Sequence, residues 1–467
     1  MSLLSVTDSV TVNGKTTTRV YHAATRQYVD TTSAGRQGFT VIDAQGRPTQ
    51  TQVAGLDPVA YAYDPRGRLT TITQGSGADA RQTLLGYNPE GFLGGITDAL
   101  GRSQTYGYDL AGRVTQQTLP DGRVIRFTYD ANGNVTSITP PSKPSHAFTY
   151  TSVDLESQYT PPAAGIGTPA TQYAYNLDKQ LTRITRPDGQ AVSLAYDTGG
   201  RLSTMTLPNG TVTYAYSTTT GQLQTLTAPD GGTLGYTYDG SLLKQETWSG
   251  TVAGSVSRTY NTDFRVTGLT VNGANIAFAY DDDGLLTQAG SLSINRHPNH
   301  GLITATTLGS VTTAQGHNAF GEMSQFTASQ GGSAVLDVHY TRDKLGRITQ
   351  KTETVGGMTD TYNYGYDLAG RLTDVARNSS NIAHYSYDAN GNRVGKSGVS
   401  GNVIASYDDQ DRLLAYGSTS YTYTDNGERL SKTFNGQTTH YVYDVLGNLV
   451  KSSSPILDIH YTRHKLG

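Results

Sequence analysis

Three sets of side chains in this sequence have the types to do chemistry. Asp281, Asp282 and Asp283 run together ahead of Gly284, and carboxylates gathered before a glycine are how a loop collects oxygen ligands for a hard cation. His297 and His300, with His317 nearby, are the sequence's histidine cluster, and imidazoles at short spacing are common ligands of transition metals. The third set is larger: recurrent aspartates at Asp64, Asp109, Asp130, Asp197, Asp367 and Asp388, which could serve as catalytic acids or bases.

Each set also has a plainer assignment. The Asp triplet sits in a turn and lacks the later Glu that an EF-hand loop requires. The histidines stand in loops without an adjacent carboxylate to orient an imidazole, so they read as turn residues rather than ligands. An aspartate that returns in the same local context at every repeat does the same backbone job each time, which makes it structural. The phosphate-binding Gly-x-x-x-x-Gly-Lys-Ser/Thr, the Gly-x-Ser-x-Gly elbow and His-Glu-x-x-His are all missing. The sequence therefore assigns no catalytic, metal-binding or cofactor-binding residue, and a protein that is not an enzyme is expected.

The element that positions the aspartates is a motif, Tyr-Asp-x-x-Gly. It occurs as Tyr63, Asp64 and Gly67; Tyr108, Asp109 and Gly112; Tyr129, Asp130 and Gly133; and Tyr196 with Asp197. It returns as Tyr280, Asp281 and Gly284; Tyr366, Asp367 and Gly370; Tyr387, Asp388 and Gly391; and Tyr443, Asp444 and Gly447. Looser versions start at Tyr87, Tyr175, Tyr216, Tyr238, Tyr260, Tyr407 and Tyr423. Along the runs Tyr87 to Tyr129 and Tyr175 to Tyr280, successive copies stand 20 to 22 residues apart, the mark of a repeat architecture.

One period, residues 104–130, shows the physical unit. Tyr106 and Tyr108 are two apart, so both rings fall on one face of a strand. Asp109 accepts backbone N–H groups to open a tight turn, and Gly112 supplies a positive φ. The residues that follow alternate and are rich in Thr and Val, as a return strand should be. "LPDG" from Leu119 makes the opposite turn, repeated as "RPDG" from Arg186, "LPNG" from Leu207 and "APDG" from Ala228. Each unit is a β-hairpin, marginal alone and dependent on its neighbours, and on the order of forty strands must roll up, coil or split into blades.

Composition agrees with an all-β protein that has thin walls. The 467 residues include 54 Gly and 32 Tyr but only 9 Phe, 1 Trp and 4 Met. Tyrosine packs its ring while its hydroxyl reaches water or backbone. Charged residues are 16 % and the net charge is -3, which excludes a generic polyanion binder, so no nucleic acid partner is expected. The absence of cysteine rules out disulfides, thiolate chemistry and sulfur-bound zinc. The N-terminus has no secretory signal peptide, and no window is apolar enough for a membrane helix, so no membrane insertion is expected.

The expected organisation is an N-terminal β segment (1–40), a first repeat block (41–139), a Pro-rich insertion or irregular crossing (140–172), a second block (173–289), degenerate repeats (290–335) and a third block (336–467). In the degenerate stretch, Asn318 and Gly321 stand for the Asp and Gly of the motif. "IHYTRHKLG" from Ile459 matches "VHYTRDKLGRI" from Val338 and stops at the Gly of a turn, which reads as a last unit ending mid-repeat, in a fragment of something longer.

Tyr-Asp-x-x-Gly-Arg-Leu at this spacing, with "YDANGNRV" from Tyr387 and "YDVLGNL" from Tyr443, strongly resembles the YD-repeat or RHS-repeat family, over about residues 40–467. That family includes bacterial polymorphic toxins, cocoon components of insecticidal toxin complexes, wall-associated proteins and teneurins. The resemblance implies a long antiparallel β-hairpin strip spiralling into a hollow shell or barrel, closed or incomplete. In toxin members the shell encloses a C-terminal effector. It implies a secreted, surface or secretion-delivered scaffold whose partner is an enclosed toxin polypeptide or the rest of a longer protein. The family's core-associated segment, which carries self-cleavage residues in several members, has no match after Gly447. The alternative is an exposed adhesion or carbohydrate-binding module whose tyrosine ladders stack on sugars.

Overall fold

The structure, a computed structural model, describes residues 4–163, 170–454 and 458–460. The end of the mid-repeat stretch (461–467) and part of the Pro-rich stretch (164–169) lie outside the described residues. The protein is all-β: 44 strands and one short 3-10 turn, Gly77–Asp79, with no α-helix among the described residues. Successive strands pair antiparallel along the chain.

The strand Val124–Tyr129 and its return strand Val135–Thr139 show how the repeat becomes a hairpin. Phe127 faces Ile138 and Thr128 faces Ser137, then the register slips so that Tyr129 faces Val135. The slip is a β-bulge created by the turn, in which Gly133 has φ 97°, a left-handed conformation that costs glycine little. The same slip precedes Tyr63, Tyr196, Tyr280, Tyr366, Tyr387 and Tyr443.

Alternation along the strands separates two faces. On the strand Val59–Tyr63, the tyrosines are half-buried and the alanines between them exposed; Thr171–Tyr175 and Thr419–Tyr423 repeat the pattern. No large side chain among the described residues is completely buried.

The chain forms two units. One comprises residues 1–106, 119–121 and 258–382; the other comprises 107–118, 122–257 and 383–467. Each therefore combines an early and a late stretch of the chain. In the second unit a small apolar cluster joins them: Val192, Leu207 and Val212 pack with Val445.

The repeated corner as candidate functional site

Asp109 opens a turn closed by backbone bonds, from its own N–H to the Arg113 carbonyl at 3.0 Å and from the Gly112 N–H to the Asp109 carbonyl at 3.0 Å. Its Oδ1 accepts the N–H groups of Ala111 at 2.9 Å and Arg113 at 3.0 Å. Oδ2 accepts Nε of Arg113 at 2.7 Å. The backbone N–H of Arg113, ahead of every other favourable contact, holds this carboxyl below the usual carboxylate range. Asp64 and Asp197 repeat the arrangement with Arg68 and Arg201, and Asp367 does so with Arg371.

Where the arginine is an asparagine, its amide takes over. Asn134, Asn392 and Asn448 donate Nδ2 to Oδ2 of Asp130, Asp388 and Asp444 at 2.9, 2.9 and 3.1 Å. Asn318 accepts the N–H groups of Phe320 and Glu322, each at 3.0 Å, in the corner that ends at Gly321. At Asp109 both oxygens are engaged by the turn itself, Oδ1 by two backbone N–H groups and Oδ2 by the Arg113 guanidinium.

The tyrosines join one hairpin to the next. Tyr129 donates its hydroxyl to the Val114 carbonyl at 2.7 Å, and the Arg113 guanidinium lies 4.7 Å from its ring centre. Tyr63, Tyr280 and Tyr366 donate to the carbonyls of Pro48, Val266 and Ile348 at 2.8, 2.7 and 2.7 Å. Arg47, Arg265 and Arg347 cover their rings at 4.5, 5.8 and 4.4 Å. Tyr196 donates to Leu181 at 2.7 Å. Arg47, Arg113 and Arg347 therefore do two jobs: each pairs with the aspartate of its own corner and stacks on the tyrosine of the following one.

The role of this arginine went unread in the sequence, although its signal, Arg directly after the motif Gly, was plain. Two further residues were missed. Arg296 and Arg342 stand in the tyrosine position of degenerate corners and donate to the carbonyls of Leu286 at 2.9 Å and Met323 at 3.1 Å. They supply from a guanidinium the bond a phenol supplies elsewhere.

Within each unit, turns of the early stretch dock on corners of the late one. In the first unit, Asp283 accepts the Ala34 N–H at 2.9 Å, the Thr32 hydroxyl at 2.7 Å and the Arg36 guanidinium. Arg36 also reaches Asp281 at 2.7 Å, so two of the three aspartates, Asp281 and Asp283, are committed to docking. Arg81 grips both oxygens of Glu322 at 2.7 and 2.8 Å. In the second unit, Arg186 pairs with Glu428 and reaches the Val445 carbonyl at 2.6 Å, while Arg123 reaches the Ala389 carbonyl at 2.8 Å. These partners lie between 241 and 266 residues apart in the chain.

The histidines come together in the first unit. His297 and His300 stack with ring centres 3.9 Å apart, and His317 stands edge-on to His300 at 6.4 Å. Among the described residues, no three His, Asp or Glu side chains converge as metal ligands.

Residues 2–465 match the Teneurin YD-shell family. Mouse teneurin-4 is 28% identical over 254 residues, which is 48% of this chain and 9% of that protein. The tRNA nuclease WapA of Bacillus subtilis (strain 168) is 32% identical over 114 residues, 23% of this chain and 4% of WapA. Among solved structures, the crystal structure of TcdB2-TccC3-TEV superposes with a TM-score of 0.72 at 13% identity, covering 96% of this chain and 30% of that one. The Photorhabdus luminescens Tc holotoxin pore gives 0.58 at 12%, covering 96% and 29%. The chain thus spans a small part of the relatives it matches, and the solved structures share its fold: a long antiparallel sheet of β-hairpin repeats.

Proposed function

The chain belongs to the teneurin YD-shell family, and we propose that it works as a non-enzymatic wall, a β-shell scaffold that encloses or carries a toxin or effector polypeptide for delivery outside the producing cell. The observation that carries this reading is the commitment of the motif's polar groups. The Asp, Tyr and Arg side chains that recur along the chain hold turns shut and tie each hairpin to the next. Early turns then lock onto corners some 250 residues later, as a strip wound back on itself would. A wall built this way spends its chemistry on its own backbone.

Carbohydrate recognition is the weaker reading, because tyrosine faces that would stack on a sugar are covered by guanidinium groups. The test is protection. A reporter polypeptide joined after residue 467 should survive added protease under conditions that degrade the free reporter. Equal digestion of the two would overturn enclosure, and saturable binding on a polysaccharide array would move the assignment to a surface module.

A further inference from the structure

The three histidines do not share the chemistry of the other corners, and their geometry has a consequence for docking in the first unit. His297 takes the place of the motif aspartate. Its Nδ1 accepts the Asn299 N–H at 3.2 Å, as an Asp Oδ1 does elsewhere. His300 Nδ1 accepts the Leu302 N–H at 3.3 Å. Both Nδ1 atoms are therefore the unprotonated nitrogens, and each ring carries its hydrogen on Nε2. A second proton can enter only at Nδ1, where it would meet a backbone N–H head-on. It would also place like charges on two rings stacked at 3.9 Å, with His317 edge-on beside them.

This corner carries part of the docking. His300 and Asn299 lie against Gly55, and Leu56 lies against Gly321. Asp57 donates its N–H to the Ala319 carbonyl at 2.7 Å. Charged groups stand around the cluster on each element packed there, and most are already engaged. Arg36, beside Gly301, pairs with Asp281 and Asp283. Arg296 is bonded to the Leu286 and Gly301 carbonyls, and Glu322 is held by Arg81. The Asp57 carboxylate lies toward Gly75. Burial first, then the neighbouring imidazoles, holds His300 and His317 below the ordinary histidine range, with no carboxylate among the causes.

We propose that the His297, His300 and His317 cluster is an acid-sensitive latch: protonation breaks the corner at residues 297–302 and releases the docked turn at residues 54–57, leaving the surrounding hairpins folded. For His300 and His317, held below the ordinary histidine range in the folded corner, the released state binds the proton more readily, so the latch holds above the unfolded pKa of about 6.5 and is lost as pH falls below it. This inference stands whether or not the wall encloses a passenger.

Amide hydrogen exchange on the whole 467-residue chain, corrected for intrinsic rates, tests it at about pH 7.5 and about pH 5. Residues 54–57 and 299–302 should lose protection by about tenfold or more at the lower pH, while the Asp130 corner keeps its own. The double variant His297→Asn with His300→Gln should stay protected at both pH values. Asparagine already fills the equivalent position at Asn318, so the turn is preserved. Unchanged protection in the parent protein, or a pH-dependent loss that persists in the double variant, would overturn the proposal.

Discussion

At the scale of single residues, the corner separates what the turn needs from what the next hairpin needs. Gly112 has φ 79° and Phe264 has φ 60° at the same position of their corners. Gly112→Val should cost about 1 kcal/mol or more, and Phe264→Gly should gain up to about 1 kcal/mol, since left-handed backbone disfavours a Cβ. Thermal melting checks both, and equal melting temperatures would mean the turn tolerates side chains freely. Asp109→Asn should be milder than Asp109→Ala. Asn261 shows that an amide oxygen can accept both turn N–H groups, those of Asp263 and Arg265, each at 3.0 Å. Equal losses in the two variants would place the value of Asp109 in its charge.

At the scale of the hairpin, the repeated carboxylates act together. Asp64, Asp109, Asp130, Asp197, Asp367 and Asp388 all sit below the ordinary carboxylate range in the folded protein. For Asp64, Asp109 and Asp197 the leading cause is an N–H of the turn, and for Asp130 it is the Asn134 amide; for Asp367 and Asp388, burial pulls the other way and is outweighed by Arg371 and Asn392. A depressed folded pKa stabilises the native state above the unfolded value of about 3.9, and that stability is lost as pH falls through the folded values. Cooperative melting should therefore hold down to about pH 5 and fall steeply below about pH 4. A global loss near pH 6 would show that the histidines, not the corners, govern stability.

At the scale of the whole molecule, docking between stretches distant in sequence should depend on a few cations. Arg186 is largely buried, as is its partner Glu428, and Arg186→Ala takes the cation from that carboxylate, leaving it the Thr424 hydroxyl, and removes the donor to the Val445 carbonyl. The loss should be about 2 kcal/mol or more, seen as faster amide exchange at residues 188–190 and 444–447 together. Faster exchange on one side alone would show that the two stretches do not hold each other. The proposed hollow wall makes a further prediction for X-ray scattering. A compact globule of this length has a radius of gyration of roughly 23 Å, and the protein should clearly exceed it. A value at the compact figure would favour strands packed face to face.

Much of the fold was legible because the corner is a local device. Tyr63, Asp64 and Gly67 lie within five residues, so turn, bulge and strand register follow from covalent geometry and a few short-range bonds, and the period announces the hairpin. The tyrosine alternation is local too, because side chains two apart share a face. What crosses between hairpins was not legible. Nothing in "YDLAGR" says that Arg113 will cover Tyr129, or that Arg296 can replace a tyrosine. Nor does sequence say that Asp283 waits for Arg36, or that three loop histidines meet at one junction. The first two need the neighbouring hairpin in place, and the pair Arg36 and Asp283 stands 247 residues apart, so only the docking of an early turn on a late corner brings it within a hydrogen bond's reach.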